Sequence, residues 1–200
     1  MRIFSEAAER NKLPILDVLQ TTLIHHTVVL EIGSGTGQHA LFFASILGHL
    51  IWQPTEIPDN LPDLQTNCNN YSIPNLNKPI PLDVDDEPWS VPTVDTIFTA
   101  NTLHIINWSQ VCRIFKKVSS LLPYDGLFCA YGPFNVNGQF TSQSNARFDA
   151  ELRMRNPESG IRDMKELVIQ AEAQGLWLEA DHPMPANNRL LVWRKLMQIK

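Results

Sequence analysis

The sequence predicts an α/β fold: a doubly wound, seven-stranded, mostly parallel sheet whose last strand runs antiparallel. Three observations carry this. Short runs rich in β-branched residues alternate five times with stretches of helical period, and right-handed crossovers turn that pattern into a parallel sheet with helices on both faces. A glycine-rich turn, Gly33-Ser34-Gly35-Thr36-Gly37, follows the first such run and leads into a helix. The chain closes on two strand-like runs with no room for a helix between them, which requires an antiparallel pairing.

Taken in order, "LPILDVLQTTLI" (Leu13 to Ile24) puts Leu16, Leu19 and Leu23 on one face and reads as a helix. "TVVLEI" is a short buried strand. "QHALFFASILG" reads as a helix closed by Gly48. "HLIWQP" is a second strand, ended by Pro54, and "LPDLQTNCNNYSI" a helix with Pro62 in its first turn. A Pro- and Asp-rich stretch holds a third short strand, "PIPLDV", and "VDTIFTA" is the fourth. "WSQVCRIFKKVSSLL" has apolar residues at 111, 114, 115, 118, 121 and 122, a helical period. "GLFCAYGPF" is the fifth strand, "ELVIQAEAQG" a helix ending at Gly175, and "LWLEADHPM" and "RLLVWRKLM" are the closing strands. The long interruption, residues 135–162, holds "SQSNARFDAELRMR", itself of helical pattern, with Phe148 and Leu152 paired at i,i+4. An insertion at the C-terminal end of a parallel strand lies over the ligand crevice, so this one is a candidate lid.

At 200 residues, 44% hydrophobic and 18% charged, the chain reads as one globular domain spanning 1–200. A net charge of −5 lacks the basic surplus that binding bulk nucleic acid requires. Cys68, Cys112 and Cys129 are scattered, with no CxxC pair, which argues against a disulfide framework or a metal site. The N-terminus has no apolar signal core, and no apolar run approaches the roughly 18–20 residues of a membrane span. The expectation is a cytoplasmic protein with no membrane partner.

The glycine turn discriminates between ligands. A dinucleotide fingerprint, G-x-G-x-x-G, needs a third glycine where Gln38 stands, and a triphosphate loop also fails at Gln38, with no lysine after it. What stands here is E-x-G-x-G-x-G, with Glu31 at the strand end. A carboxylate there repels phosphate and suits a ligand carrying a cationic amino group. Glu56, 19 residues after Gly37, ends the second strand, where a carboxylate can accept both ribose hydroxyls. Asp83 ends the third strand, placed for an adenine edge, with Asp85 and Asp86 as neighbouring alternatives, and Asn101 ends the fourth. All four positions share the side of the sheet where open α/β folds bind ligands.

This arrangement resembles the class I S-adenosylmethionine-dependent methyltransferases, with their Rossmann-like fold. The resemblance implies S-adenosylmethionine as cofactor, S-adenosylhomocysteine as product, and a cofactor site of Glu31, Gly33, Ser34, Gly35, Thr36, Gly37, Glu56, Asp83, Val84 and Asn101. In it Glu31 faces the methionine end, Glu56 the ribose and Asp83 the adenine. More closely, "AAERNKLPIL", "LEIGSGTGQHA", "WQPTE", "GPFNVNGQFTSQSNARFD", "GIRD" and "MPANN" are similar to the methyltransferase-like 26 family, a group of unknown function that implies no substrate. The second strand ends in Thr55-Glu56 where that family's pattern has Ser-Asp; the longer carboxylate still reaches a ribose.

Methyl transfer asks the protein to position an acceptor and exclude water, and to supply a base only if the acceptor loses a proton. The candidate base is His104, just past the fourth strand, or else it packs its loop; Asn101 stands near the transferred methyl. His39 reads as structural. The insertion offers Phe134, Asn135, Phe140, Ser142, Asn145, Phe148, Asp149 and Arg153, a mixture suited to a small polar acceptor. "AAERN" precedes the predicted first helix, so Arg10 and Asn11 are candidates to fold over the cofactor. Enzymes of this fold that methylate nucleic-acid amines place Asn or Asp, two prolines and an aromatic after the fourth strand; Asn101-Thr102-Leu103-His104 has no proline. The expectation is a methyltransferase for a small molecule. A non-catalytic cofactor-binding protein and an NAD-dependent oxidoreductase are the alternatives.

Overall fold

In the computed structural model, which describes residues 4–197, the first helix, α1 (Glu6–Thr22), starts at Glu6 and not at Leu13. Ser5 caps it, accepting from the Ala8 amide at 3.3 Å, and Glu6 and Glu9 lie in its first turn, where the helix dipole favours acids. The segment "AAERN" is therefore inside the helix, not before it. Pro14, which resembles a helix start in the sequence, sits in the interior. It withholds an N–H from the Arg10 carbonyl, a cost of about 3 kcal/mol. Burial of Ile15, Leu16 and Leu19 outweighs this at roughly 1.5–3 kcal/mol each.

The chain divides between Thr99 and Ala100 into two units. After α1, the first holds β1 (Val28–Ile32), α2 (Gln38–Ile46), β2 (Ile51–Glu56), α3 (Leu61–Asn69), β3 (Ile80–Pro81) and β4 (Thr96–Ala100). Its strands lie in the order β3-β2-β1-β4, each pair parallel. Phe43, Trp52 and Phe98 form the centre of its core, with ring centroids 5.4–5.8 Å apart and no exposure. Asp95 ties the strand starts together by accepting from the Thr27 amide and hydroxyl and from the Val28 amide.

Two expectations need correction here. Gly48 does not close α2: Leu47 caps it, donating to the Phe43 carbonyl at 2.8 Å. Pro54 does not end β2, which runs on to Glu56. Trp52 donates to Asn75 on the β3 side, so by the two-residue period the missing N–H of Pro54 faces the same way. The Gln53 side chain supplies a donor there instead, to the carbonyls of Lys78 at 2.9 Å and Pro54 at 3.1 Å.

The second unit holds α4 (Trp108–Leu121), β5 (Leu127–Asn135), α5 (Gln143–Arg155), β6 (Arg162–Asp163), α6 (Met164–Glu172), β7 (Leu176–Met184) and β8 (Asn188–Lys195). Asn107 and Gln110 form a capping box at the start of α4, whose face of Val111, Ile114, Phe115 and Val118 is buried, as the helical period predicts. Strand β8 runs antiparallel to both β5 and β7. Phe115, Phe128 and Trp193 close the core at 5.3–5.5 Å. The insertion forms α5, capped by Ser142, and the two-residue β6, absent from the sequence reading, which pairs parallel with the end of β5. The fold is thus α/β and mostly parallel, with its last strands antiparallel. Among the described residues no helix is long and apolar enough to cross a membrane.

Candidate functional site

The glycine turn joins β1 to α2 in left-handed backbone, with φ of 69° at Gly33, 56° at Gly35 and 76° at Gly37, which side chains resist. Glycines 35 and 37 are needed for different reasons. A Cβ on Gly37 would lie 2.8 Å from Leu64 Cδ1 and 3.2 Å from Cys68 Sγ on α3, whereas a Cβ on Gly35 would meet nothing within 4 Å. Gly37 serves packing; Gly35 borders open space.

The turn is held against the end of β2. Ser34 exchanges hydrogen bonds with Thr55, its amide donating to the Thr55 carbonyl at 2.8 Å and its hydroxyl accepting from the Thr55 amide at 3.2 Å. Glu56, 7% exposed, accepts from the Gly35 amide at 2.7 Å and from the Ile57 amide at 3.0 Å, one on each oxygen. Glu31 is 1% exposed and accepts from the Trp52 indole N–H at 2.9 Å. Burial pushes its carboxyl up to about 7, against the lowering pull of the Trp52 and Ser34 hydrogen bonds; the charge of Glu56 adds to the rise. Glu31, Ser34, Gly35 and Glu56 thus form one connected cluster.

Asp83 follows β3, whose Pro81 is in register with Glu56, and its carboxylate accepts from the Asp85 amide at 2.9 Å; Val84 beside it is buried. The Thr36 carbonyl accepts from Asn67 at 3.0 Å and its hydroxyl donates to Gln38 at 3.0 Å. Gln38, whose only part in the sequence reading is to exclude phosphate loops, also accepts from the Ser5 amide and donates to Glu9 at 3.2 Å. It therefore fastens the start of α1 to the turn, a role signalled only by a long amide at the first helical position. Arg10 pairs with Glu6 on the exposed face of α1. Asn11 is buried, 2.6 Å from the His39 ring, and His39 stacks on Phe43. Burial lowers His39 to about 4, in keeping with a structural role. A cavity of about 400 Å³ opens beside this fastening, bordered by Phe4, Lys12, Gln38, Phe42 and Tyr71.

In the second unit Asn101 takes φ 59° and donates its amide to Tyr131 on β5 at 2.8 Å. His104 is 5% exposed; burial, with the charge of Arg162, lowers it to about 4. A Cβ built on Gly132 would lie 3.6 Å from His104 Nδ1 and 3.9 Å from both Asn101 Oδ1 and Phe134 Cζ, so Gly132 is the point where three predicted residues meet. The sequence reading missed it, because a glycine inside a strand carries no side-chain signal. From α5, Phe148 meets the His104 ring edge-on at 5.3 Å. Asn135 keeps a buried carbonyl oxygen without a partner. Asn145 ties α5 to the turn before β8 through the Asn187 carbonyl at 3.2 Å. Arg153 pairs with Asp149 at 2.8 Å. Phe140 is 43% exposed. Arg162, quoted in the sequence only within "GIRD", is a buried residue of this cluster. Among the described residues no group of three or more His, Cys, Asp or Glu is placed to hold a metal.

The chain shares its fold with solved methyltransferase structures. An O-methyltransferase family 2 protein from Planctomyces limnophilus, in complex with apigenin, matches with a TM-score of 0.80 at 17% identity over 95% of this chain and 58% of that one. An O-methyltransferase family protein from Burkholderia thailandensis matches at 0.79 and 12% over 94% and 57%. Human N-acetylserotonin methyltransferase in complex with SAM matches at 0.77 and 12% over 96% and 58%. The chain thus spans less than three-fifths of the length of each of these structures. A family model described as "Protein of unknown function (DUF938)" matches residues 2–195, and the chain belongs to that family.

Proposed function

We propose that the chain is an S-adenosylmethionine-dependent methyltransferase for a small-molecule acceptor, working as one domain in the cytoplasm. The observation that carries this is the Glu56 carboxylate, set at the end of β2 against the Gly35 amide at 2.7 Å. Each of its oxygens accepts one backbone N–H and retains a lone pair, so a ribose diol can be received without breaking either bond. Open space beside Gly35 gives a nucleoside room to approach the turn. Asp83 and Val84 would meet the adenine, Gly33, Ser34, Thr36 and Gly37 shape the turn, and the field of Glu31 favours a cationic amino acid end. The resemblance of the motifs to the methyltransferase-like 26 family, and a fold shared with solved methyltransferases, support the reading.

S-adenosylmethionine supplies an electrophilic methyl group, so the chain's own residues need only hold the acceptor in line, exclude water and receive any proton released. His104, neutral at pH 7, is the proton acceptor of the proposal, and Asn101 with its amide positions the acceptor beside it. Phe134, Asn135, Asn145, Phe148 and Arg153 line or support the acceptor side, with α5 as lid. Phe140 belongs to the same proposed lining as an outlying member, and Arg10 and Asn11 are kept on the cofactor side.

Calorimetry with S-adenosylmethionine, S-adenosylhomocysteine and NAD tests this. Binding of both sulfur nucleosides without NAD is the expected result; binding of NAD alone would restore the oxidoreductase alternative. Radiolabelled methyl transfer into metabolite extracts then separates the enzyme from a non-catalytic cofactor-binding protein.

A further inference from the structure

We propose that Ser159–Arg162 is a clamp that positions His104, with Arg162 as the positioning residue. The observation is a run of carbonyls met from one place. Four consecutive carbonyls after β4 each accept from this one segment. Leu103 accepts from Arg162 Nε at 3.0 Å, His104 from the Gly160 amide at 2.9 Å, Ile105 from the Ser159 hydroxyl and Ile106 from Arg162 Nη2. Arg162 Nη2 also reaches the Glu158 carbonyl at 3.0 Å. Arg162 is 8% exposed, and its hydrogen bonds go to backbone carbonyls. Burying an arginine is costly unless its donors are met, and here Nε and Nη2 are met by the carbonyls of Leu103, Ile106 and Glu158, the first two on the loop that carries the candidate base.

The clamp is joined to α5. Asp149 accepts from the Ile161 amide at 2.7 Å with one oxygen and pairs with Arg153 Nε at 2.8 Å with the other. Gly160 takes φ +149°, and a Cβ there would lie 2.6 Å from Arg153 Cζ and 2.9 Å from Asp149 Oδ1. Only glycine lets the Arg153–Asp149 pair lie across this backbone. Phe148, on the same helix, touches the His104 ring. The contacts close a ring from α5 through Asp149 to the clamp, through four carbonyls to the His104 loop, and through Phe148 back to α5. The clamp fixes the His104 backbone and Phe148 fixes its ring, so the helix that covers the proposed acceptor side is geared to the proposed base. Arginine suits this because its planar fork reaches the Leu103 and Ile106 carbonyls from two separate nitrogens held in one fixed plane, Nε and Nη2.

The catalytic meaning rests on the reading of His104 given above, but the clamp itself is read without cofactor or substrate. The experiment is a pH titration of the full-length chain, labelled with nitrogen-15 histidine, followed by magnetic resonance. His39 is the internal reference, since it too lies at about 4 through burial and the charge of Lys12. Arg162→Lys keeps the charge and loses the fork. The expected result is a His104 midpoint raised by one unit or more, an unmoved His39, and exchange of the Gly160 amide at least tenfold faster. If Arg162→Lys leaves His104 and Gly160 as in the wild type, the fork positions nothing and the proposal is overturned. Should Arg162→Lys fail to fold, Ser159→Ala removes one donor alone. It is expected to speed Gly160 exchange about threefold and to shift the His104 ring signals, and wild-type behaviour of both overturns the proposal. A wild-type chain that binds no S-adenosylhomocysteine sinks the methyltransferase reading and leaves the outcome for the clamp standing.

Discussion

Replacing Gly35 and Gly37 by alanine, one at a time, separates packing from binding in the glycine turn. Both backbones are left-handed, at φ 56° and 76°, which costs an L-residue about 1–2 kcal/mol. The reduced freedom of the unfolded chain returns roughly 0.4–1 kcal/mol. Alanine at 35 meets nothing within 4 Å, so its net cost is about 1 kcal/mol. Alanine at 37 meets Leu64 Cδ1 at 2.8 Å and Cys68 Sγ at 3.2 Å. Leu64 is fully buried and Cys68 nearly so, which limits how far either can give, and overpacking adds about 1–3 kcal/mol. Gly37→Ala should therefore lose about 2–4 kcal/mol in denaturant titrations and roughly 5–15 °C in Tm, against about 2–4 °C for Gly35→Ala. For S-adenosylhomocysteine the order reverses. The methyl at 35 enters the space left for the nucleoside, weakening binding about tenfold or more by calorimetry, while folded Gly37→Ala binds nearly as the wild type does. Equal losses of stability in the two variants, or unchanged affinity in Gly35→Ala, refute the reasoning.

His39 and His104 lie at about 4, below the ordinary 6.5, because burial opposes their charge. The unfolded chain therefore takes up protons first as pH falls: the stability they contribute is full above pH 6.5 and lost from there to about pH 4. Denaturation across that window should show a loss on the order of several kcal/mol, and a flat profile contradicts the burial argument. Glu31 runs the other way. Raised from 4.5 to about 7, it costs the fold increasingly as pH climbs through that interval. Glu31→Gln, which keeps an acceptor for the Trp52 N–H, should stabilise by on the order of 2 kcal/mol at pH 8 and have little effect at pH 4.5; a lower Tm at pH 8 counts against it. Glu56→Ala strips acceptors from the Gly35 and Ile57 amides, at about 1–3 kcal/mol each. It should weaken S-adenosylhomocysteine binding by about 10- to 100-fold, and unchanged affinity in calorimetry removes Glu56 from the site.

Much of this molecule is local, and what is local can be read along the chain. The period of 111, 114, 115 and 118 became the buried face of α4. The glycine spacing became three left-handed residues, and the absence of room between the closing runs became the antiparallel β7–β8 pair. Glu56 drew notice through its distance from the glycine turn, 19 residues after Gly37, and the strand that the reading ended at Pro54 runs on to it. The helix expected from Leu13 starts earlier, with Pro14 in its interior, and the strand expected to end at Pro54 runs on, for one physical reason: a proline's local penalty is certain, but what offsets it is not local. Pro14 is carried by buried neighbours and Pro54 by the Gln53 side chain reaching Lys78.

By itself, then, the sequence determined the elements other than the two-residue β6, their order and the residue types near the strand ends, because periodicity, glycine conformation and crossover handedness act within a few residues. Only the tertiary structure decided where polar side chains spend their hydrogen bonds. Asn11 is paired with His39, 28 residues away, and Gln38 fastens a helix that begins at Glu6. Arg162 caps carbonyls 59 and 56 residues before it. No spacing encodes such pairs: a backbone carbonyl is the same at every position, and which one an arginine meets is settled when burial forces its donors to find partners.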